Sequence, residues 1–257
     1  MYDLPTVRWA TDALWRAIAT ALAARGVAAP AGLDRRAGYA SAWREPGLLL
    51  SQTCGYPFVT GLRGEVWLVA TPCYRAEGCV EADYRSVLLV REDDPADALA
   101  DLRGRRVAYN ALDSQSGHNA LRAMVAPLAR DGRFFAGRIA TGAHAASMAA
   151  VADGEADLCA VDCVTWALLR RHEPERTHGL RAIGWTAAAP ALPLITAVGG
   201  PVALLREALQ AALADPENAP AREALLLDGF ASRSDADYER ILAMEREAIA
   251  LGYPALG

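Results

Sequence analysis

At 257 residues, with 53% hydrophobic and 22% charged side chains, the chain can bury one large core or two ordinary ones without staples, which excludes disorder. A net charge of -5 excludes a general nucleic-acid binder, whose affinity rests on clustered Lys and Arg, although a single anion needs only local positive potential. No apolar stretch is long enough for a membrane span, and Leu48-Leu49-Leu50 is too short even for a signal-peptide core.

The start, Met1-Tyr2-Asp3-Leu4-Pro5, has no basic stretch, so a native start implies the cytoplasm and a removed signal implies export. Residues 6–10 read as a short strand. A helix follows, with Leu14, Ile18, Ala21 and Leu22 at helical spacing and Thr11 or Asp12 as its cap. After the Gly/Pro/Ala stretch at 26–32, apolar runs at 48–50, 65–70 and 85–90 predict buried strands.

A second unit begins after Arg91-Glu92-Asp93-Asp94-Pro95. Residues 105–110 read as a strand, and Leu121, Met124, Val125 and Leu128 mark one face of the next helix. A helix at 144–152 stops at Gly154, a strand follows at 158–161, and Asp162 is placed to cap a helix running to about Arg171. A strand at 180–185, an extended connection at 186–193 and an apolar return run at 194–198 come next. The tail reads as three helices, at 201–214, 220–227 and 234–251. Alternating strands and helices predict an α/β fold with largely parallel sheets.

The segment from Val107 to Arg122 carries the sharpest chemical signal. A strand feeds Ser114-Gln115-Ser116-Gly117, which opens directly into an amphipathic helix. The N–H groups and positive dipole end of such a helix attract an anion; the serine hydroxyls can donate to its oxygens, and Gly117 permits close backbone approach. Plain capping by Ser114 or Ser116 explains the same residues. Thr141-Gly142-Ala143-His144 is a second helix start, where His144 could donate to an oxyanion. No Walker-type or Gly-x-Gly-x-x-Gly run occurs, so neither a nucleotide nor any other cofactor is expected.

Five cysteines leave at least one unpaired within a monomer. Cys73 and Cys79 would form a loop disulfide after export, or else remain packed thiols. Cys159 and Cys163 have a spacing suited to a metal only if both lie on one helix. The strand-to-helix turn expected between them argues against it, and no metal is expected.

Taken together, Ser51-Gln52-Thr53-Cys54-Gly55-Tyr56-Pro57, Tyr84-Arg85-Ser86-Val87, Asp101-Leu102-Arg103-Gly104, Ser114-Gln115-Ser116-Gly117, Gly142-Ala143-His144, Gly154-Glu155-Ala156-Asp157 and Val161-Asp162 resemble the phosphate/phosphite/phosphonate substrate-binding proteins of ABC transporters. The resemblance covers about residues 43–196. It implies a two-lobed type 2 periplasmic binding fold, with lobe 1 from residues 1–90 and 194–257, lobe 2 from 91–193, and two crossing segments as hinge. It also implies a non-catalytic, monomeric receptor for a small oxyanion, a partner permease and a periplasmic location. In such relatives the Ser-x-Ser loop, a tyrosine before the first crossing and a histidine at a helix start hold the oxyanion. These map onto Ser114, Gln115, Ser116, Tyr84 and His144.

Asp162 either recognises an amino group of the ligand or caps its helix. Gln52 and Tyr56 form the first-lobe wall, with Tyr56 as a lid or as a core tyrosine. The loop departs from the family's Ser-Thr-Ser, so one hydroxyl donor becomes the amide of Gln115. An enzyme on the same architecture, similar to those of menaquinone- or thiamine-precursor synthesis, is the alternative reading. A ligand-sensing module that reports to another protein is a third.

Overall fold

Pro5 sets the course of the N-terminus in the computed structural model, which describes residues 2–35 and 38–256. It opens a 3-10 turn (Pro5–Val7) that runs straight into helix α1 (Arg8–Ala23), so residues 6–10 are helical rather than a strand. The reason is periodic: Ala10, Ile18 and Leu22 are all buried along one face of α1, and Val7 extends that face. Thr11 and Asp12 lie inside the helix and cap nothing; Thr11 Oγ1 instead donates to Asp3 Oδ1 at 2.6 Å.

In chain order the strands are β1 (Ser51–Gln52), β2 (Val66–Tyr74), β3 (Asp83–Tyr84), β4 (Ser86–Arg91), β5 (Arg106–Tyr109), β6 (Gly137–Ala140), β7 (Leu158–Asp162), β8 (Leu180–Trp185), β9 (Ala189–Pro190), β10 (Leu194–Ala197) and β11 (Leu227–Ala231). The longer helices after α1 are α2 (Ala120–Val125), α3 (His144–Ala152), α4 (Cys163–His172), α5 (Val202–Ala214), α6 (Ala219–Ala224) and α7 (Glu239–Ala250). They assemble into two units. Unit 1 comprises Met1–Arg75, Val80–Ala82 and Pro190–Asp237, and unit 2 comprises Ala76–Cys79, Asp83–Ala189 and Tyr238–Gly257.

Unit 1 is built on a sheet of order β1-β10-β2-β11, and every neighbouring pair in it is antiparallel. The expected largely parallel arrangement fails here because the return strand β10 inserts between β1 and β2, which run alike. Trp15, Ile18 and Leu22 of α1 pack with Val69 of β2 and with Leu205, Ala208 and Leu209 of α5. Residues 48–50 form no strand; pairing starts only at Ser51. The helix expected at 220–227 ends at Ala224. Leu226 then adopts a left-handed φ of 55° that turns the chain into β11.

Unit 2 has a mixed sheet of order β6-β5-β7-β4-β8, with β5 parallel to β6 and β7, and β4 antiparallel to β7 and β8. The run expected in lobe 1 at 85–90 is therefore an interior strand of unit 2. The tail also divides differently from expectation. Ala248, Tyr253 and Leu256 bury in the same core as Leu121, Val125 and Phe134, which places α7 with unit 2 rather than with residues 194–237.

Candidate functional site

Within unit 2, β5 delivers the chain to Asn110 and then to the turn that opens α2. The first turn, Gln115–Asn119, is wound wide: the Asn119 N–H bonds back to the Ser114 carbonyl at 2.9 Å, five residues away. Ser114 caps it, its Oγ accepting from the Gly117 N–H at 3.0 Å. Such a start leaves the leading N–H groups without helical partners. The β5 neighbour β6 leads to the second helix start, where Gly142 takes a φ of 85° and Ala143 offers α3 no side-chain cap. The two starts meet. Ser116 Oγ and His144 Nε2 are 2.9 Å apart, joining residues 28 positions apart in sequence.

Several supports hold this pair. The Ser86 hydroxyl donates to the Ser116 carbonyl at 2.9 Å, and Ser86 is itself fixed by its N–H on Thr186 Oγ1 at 2.9 Å. Gly117 lies so close to its neighbours that a Cβ there would sit 2.0 Å from Asn110 Oδ1 and 3.2 Å from His144 Cε1. Gly117→Ala is expected to lower Tm by about 2–4 °C, since overpacking costs about 1–3 kcal/mol while alanine's helix preference returns about 1 kcal/mol. An unchanged or raised melting temperature would show that Asn110 swings aside freely and that the closeness carries no constraint.

His144 is half-buried, but its Nδ1 is shielded from solvent. Burial lowers its pKa to about 4, against a weaker opposing pull from the Ala160 backbone, so the imidazole is neutral at pH 7. His118, in the Gln115–Asn119 turn of the other helix start, is more deeply buried against Tyr109, at 5.4 Å between ring centroids. Burial first, then the cations of Arg122 and Arg138, bring its pKa to about 4, with Glu245 opposing.

The remaining residues expected at the site fall in different places. The Gln115 side chain turns away into packing, its Oε1 accepting from Asn119 Nδ2 at 2.7 Å and its Nε2 donating to Met244 Sδ at 3.2 Å. Its amide is therefore engaged on protein rather than presented as a donor. Asp162 Oδ1 accepts from the Val164 and Thr165 N–H groups at 2.8 and 3.0 Å, the capping role. Tyr84 is buried in β3. Gln52 and Tyr56 belong to unit 1, where Gln52 Nε2 donates to the Leu192 carbonyl at 3.3 Å and Tyr56 is half-buried in a short helical turn.

Sequence reasoning missed Ser86 as a support and Asn110 as the neighbour that crowds Gly117. Ser86 lies inside the Tyr84-Arg85-Ser86-Val87 motif, but only the cross-sheet placement of β4 shows what its hydroxyl touches. Cys159 lies in β7 and Cys163 opens α4, so the two do not share a helix. Cys73 and Cys79 are both thiols, and the partner of Cys79 is not Cys73: its sulfur lies 3.4 Å from that of Cys163.

Two discontinuous units, each an α/β sheet with helices, and a return strand inserted antiparallel into the first sheet define the two-lobed fold of the periplasmic binding proteins. The family model for the phosphonate periplasmic substrate-binding protein of ABC transporters matches residues 48–238, well over half the chain, and the chain belongs to that family. Members are the substrate-binding component of a transporter. PhnD1 from Prochlorococcus marinus in complex with methylphosphonate is similar in structure, with a TM-score of 0.72, 14% identity and 93% of each chain covered. So is a binding protein component of an ABC phosphonate transporter from Pseudomonas aeruginosa, with a TM-score of 0.72, 16% identity and coverage of 93% of this chain and 82% of that one. XAC2383 from Xanthomonas citri bound to chloride ion gives a TM-score of 0.68 at 18% identity, over 97% of this chain and 95% of that chain. At these identities the likeness is one of fold. No curated protein matches the chain in sequence.

Proposed function

We propose that the chain binds a small phosphonate- or phosphate-class oxyanion at Ser116 and His144 of unit 2 and hands it to an ABC permease without catalysing a reaction on it. The observation that carries this reading is the 2.9 Å pairing of Ser116 Oγ with His144 Nε2 at the starts of two helical segments. Hydroxyl groups, helix-start N–H groups and an imidazole N–H are all donors suited to oxyanion oxygens. Ser114 Oγ accepts from Gly117, so its own hydroxyl hydrogen remains available to donate. With the Gln115 amide engaged elsewhere, the loop offers two side-chain donors, Ser114 and Ser116. Asp162 supports the site as a helix cap. Tyr84, Gln52 and Tyr56 enter as ligand residues by the family resemblance alone.

A dianion beside a neutral imidazole raises the imidazole's pKa, so binding draws a proton onto His144. Titration calorimetry with methylphosphonate, aminoethylphosphonate, phosphite and phosphate tests the reading. At least one is expected to bind in the micromolar range. Ser116→Ala and His144→Ala are each expected to weaken it about tenfold or more, as loss of a hydrogen bond to a charged group costs roughly 1.5–3 kcal/mol. The heat is expected to vary with the buffer's ionisation enthalpy in the wild type and not in His144→Ala. Binding no tighter than millimolar for all four ligands would overturn the oxyanion assignment.

A further inference from the structure

Cys79 and Cys163 are 84 residues apart in sequence, yet their sulfurs are 3.4 Å apart and both residues belong to unit 2. Cys163 is the first residue of α4, fully buried, with its N–H bonded to the Arg85 carbonyl at 3.1 Å. Cys79 is half-buried and ends the four-residue segment Ala76–Cys79, closed by its N–H on the Ala76 carbonyl at 3.0 Å. Between these ends lies Gly78, with a φ of 94°. A Cβ there would fall 2.7 Å from Trp185 Cζ3 and 3.1 Å from Cys163 Cβ. Both the left-handed backbone and the close approach require glycine, and the approach is what brings the two thiols together. The residues flanking this segment, Arg75 and Val80, are part of unit 1.

We propose that Cys79 and Cys163 form a redox pair that closes reversibly to a disulfide by exchange with a small-molecule disulfide, making the attachment of Ala76–Cys79 to α4 covalent. A disulfide bond is about 2.05 Å long, so the sulfurs must approach by roughly 1.4 Å, within reach of side-chain rotation. Exchange begins at the more exposed Cys79. Its thiolate attacks one sulfur of the small disulfide, whose S–S bond breaks, and the first thiol leaves with the bonding pair. Cys163 then loses its proton to solvent and attacks the Cys79 sulfur, expelling the second thiol. Two protein thiols are oxidised and one small disulfide is reduced to two thiols. Contact with Cys79 and burial both hold the Cys163 thiol protonated, so the second step is the slower one.

The test uses the reduced full chain, incubated with oxidised glutathione, quenched with N-ethylmaleimide and digested without reduction for mass spectrometry. The expected result is loss of two of the five thiols, a single linked peptide pair joining Cys79 to Cys163, reversal by dithiothreitol, and a Tm raised by roughly 5 °C or more. Cys79→Ser and Cys163→Ser are each expected to abolish the link and Cys73→Ser to leave it. Gly78→Ala, which retains both thiols, is expected to slow closure at least tenfold. A Cys73–Cys79 link, or a glutathione adduct that persists on Cys79 while Cys163 stays free, would overturn the proposal.

Discussion

Replacing Arg122 with alanine is expected to destabilise unit 2 by about 3–5 kcal/mol, the range for breaking a buried ion pair by removing one partner. Arg122 is 4% exposed and makes three attachments: Nη1 to the Pro254 carbonyl at 2.8 Å, Nη2 to Asn119 Oδ1 at 2.6 Å, and Nη2 to Glu245 Oε1 at 3.2 Å. Asn119, itself fully buried, extends the network to Gln115 and to the Ile241 carbonyl. The guanidinium thus ties α2 and its first turn to α7 and to the chain beyond it. Its loss leaves the Asn119 and Pro254 acceptors short of a donor, the Glu245 carboxylate short of its cation, and a cavity among them. Urea unfolding measures the cost. Hydrogen exchange is expected to show Glu239–Ala250 losing protection before the unit 2 sheet does. A change below 1 kcal/mol would show that α7 is held by its apolar contacts alone.

The second large effect is acid sensitivity. Above pH 6.5, His118 and His144 are neutral in both the folded and the unfolded chain, so neither contributes to pH dependence. Between about pH 6.5 and pH 4 the unfolded chain takes up a proton at each histidine that the folded chain refuses, and stability therefore falls as pH falls. Below about pH 4 both states are protonated and the loss is complete. For the buried His118 the full effect is on the order of 3 kcal/mol, and it is smaller for the partly exposed His144. The test compares urea midpoints from pH 7.5 to pH 4.5 in the wild type and in His118→Gln. The variant is expected to lose a marked part of the slope below pH 6.5. Equal slopes in the two proteins would sink the assignment. Arg122→Ala, by removing one of the two cations that depress the His118 pKa, is expected to flatten the same region.

Much of this protein was legible without coordinates, because local rules decide it. The periodicity of Leu14, Ile18 and Leu22 specifies a helix wherever it lies. Asp162 caps α4 through atoms two and three residues away, and the run 158–161 is a buried strand in any sheet. The motifs from Ser51 to Asp162 carry a resemblance to the family whose model matches residues 48–238. Local rules failed where two signals overlapped. Residues 6–10 have strand-like composition, but they continue the buried face of α1. Residues 220–231 hold a helix-to-strand switch that depends on one left-handed residue, Leu226.

The long-range pairings were decided only by the tertiary structure. Nothing in the sequence orders Ser116 against His144, directs the Gln115 amide onto Met244 instead of a ligand, or chooses Cys163 over Cys73 as the neighbour of Cys79. The first and last follow from sheet order, since β5 lies between β6 and β7 and β4 lies beyond β7, and the Gln115 contact follows from the packing of α7 on unit 2. The two helix starts are thereby set side by side, as are Ser86 and Asp162, while the cysteine after Asp162 is carried to the Ala76–Cys79 segment. Strand order is settled by the burial of many distant side chains at once. Local rules therefore specified the helix start at Ser114-Gln115-Ser116-Gly117, and the packing of unit 2 determined which of its atoms are engaged on protein.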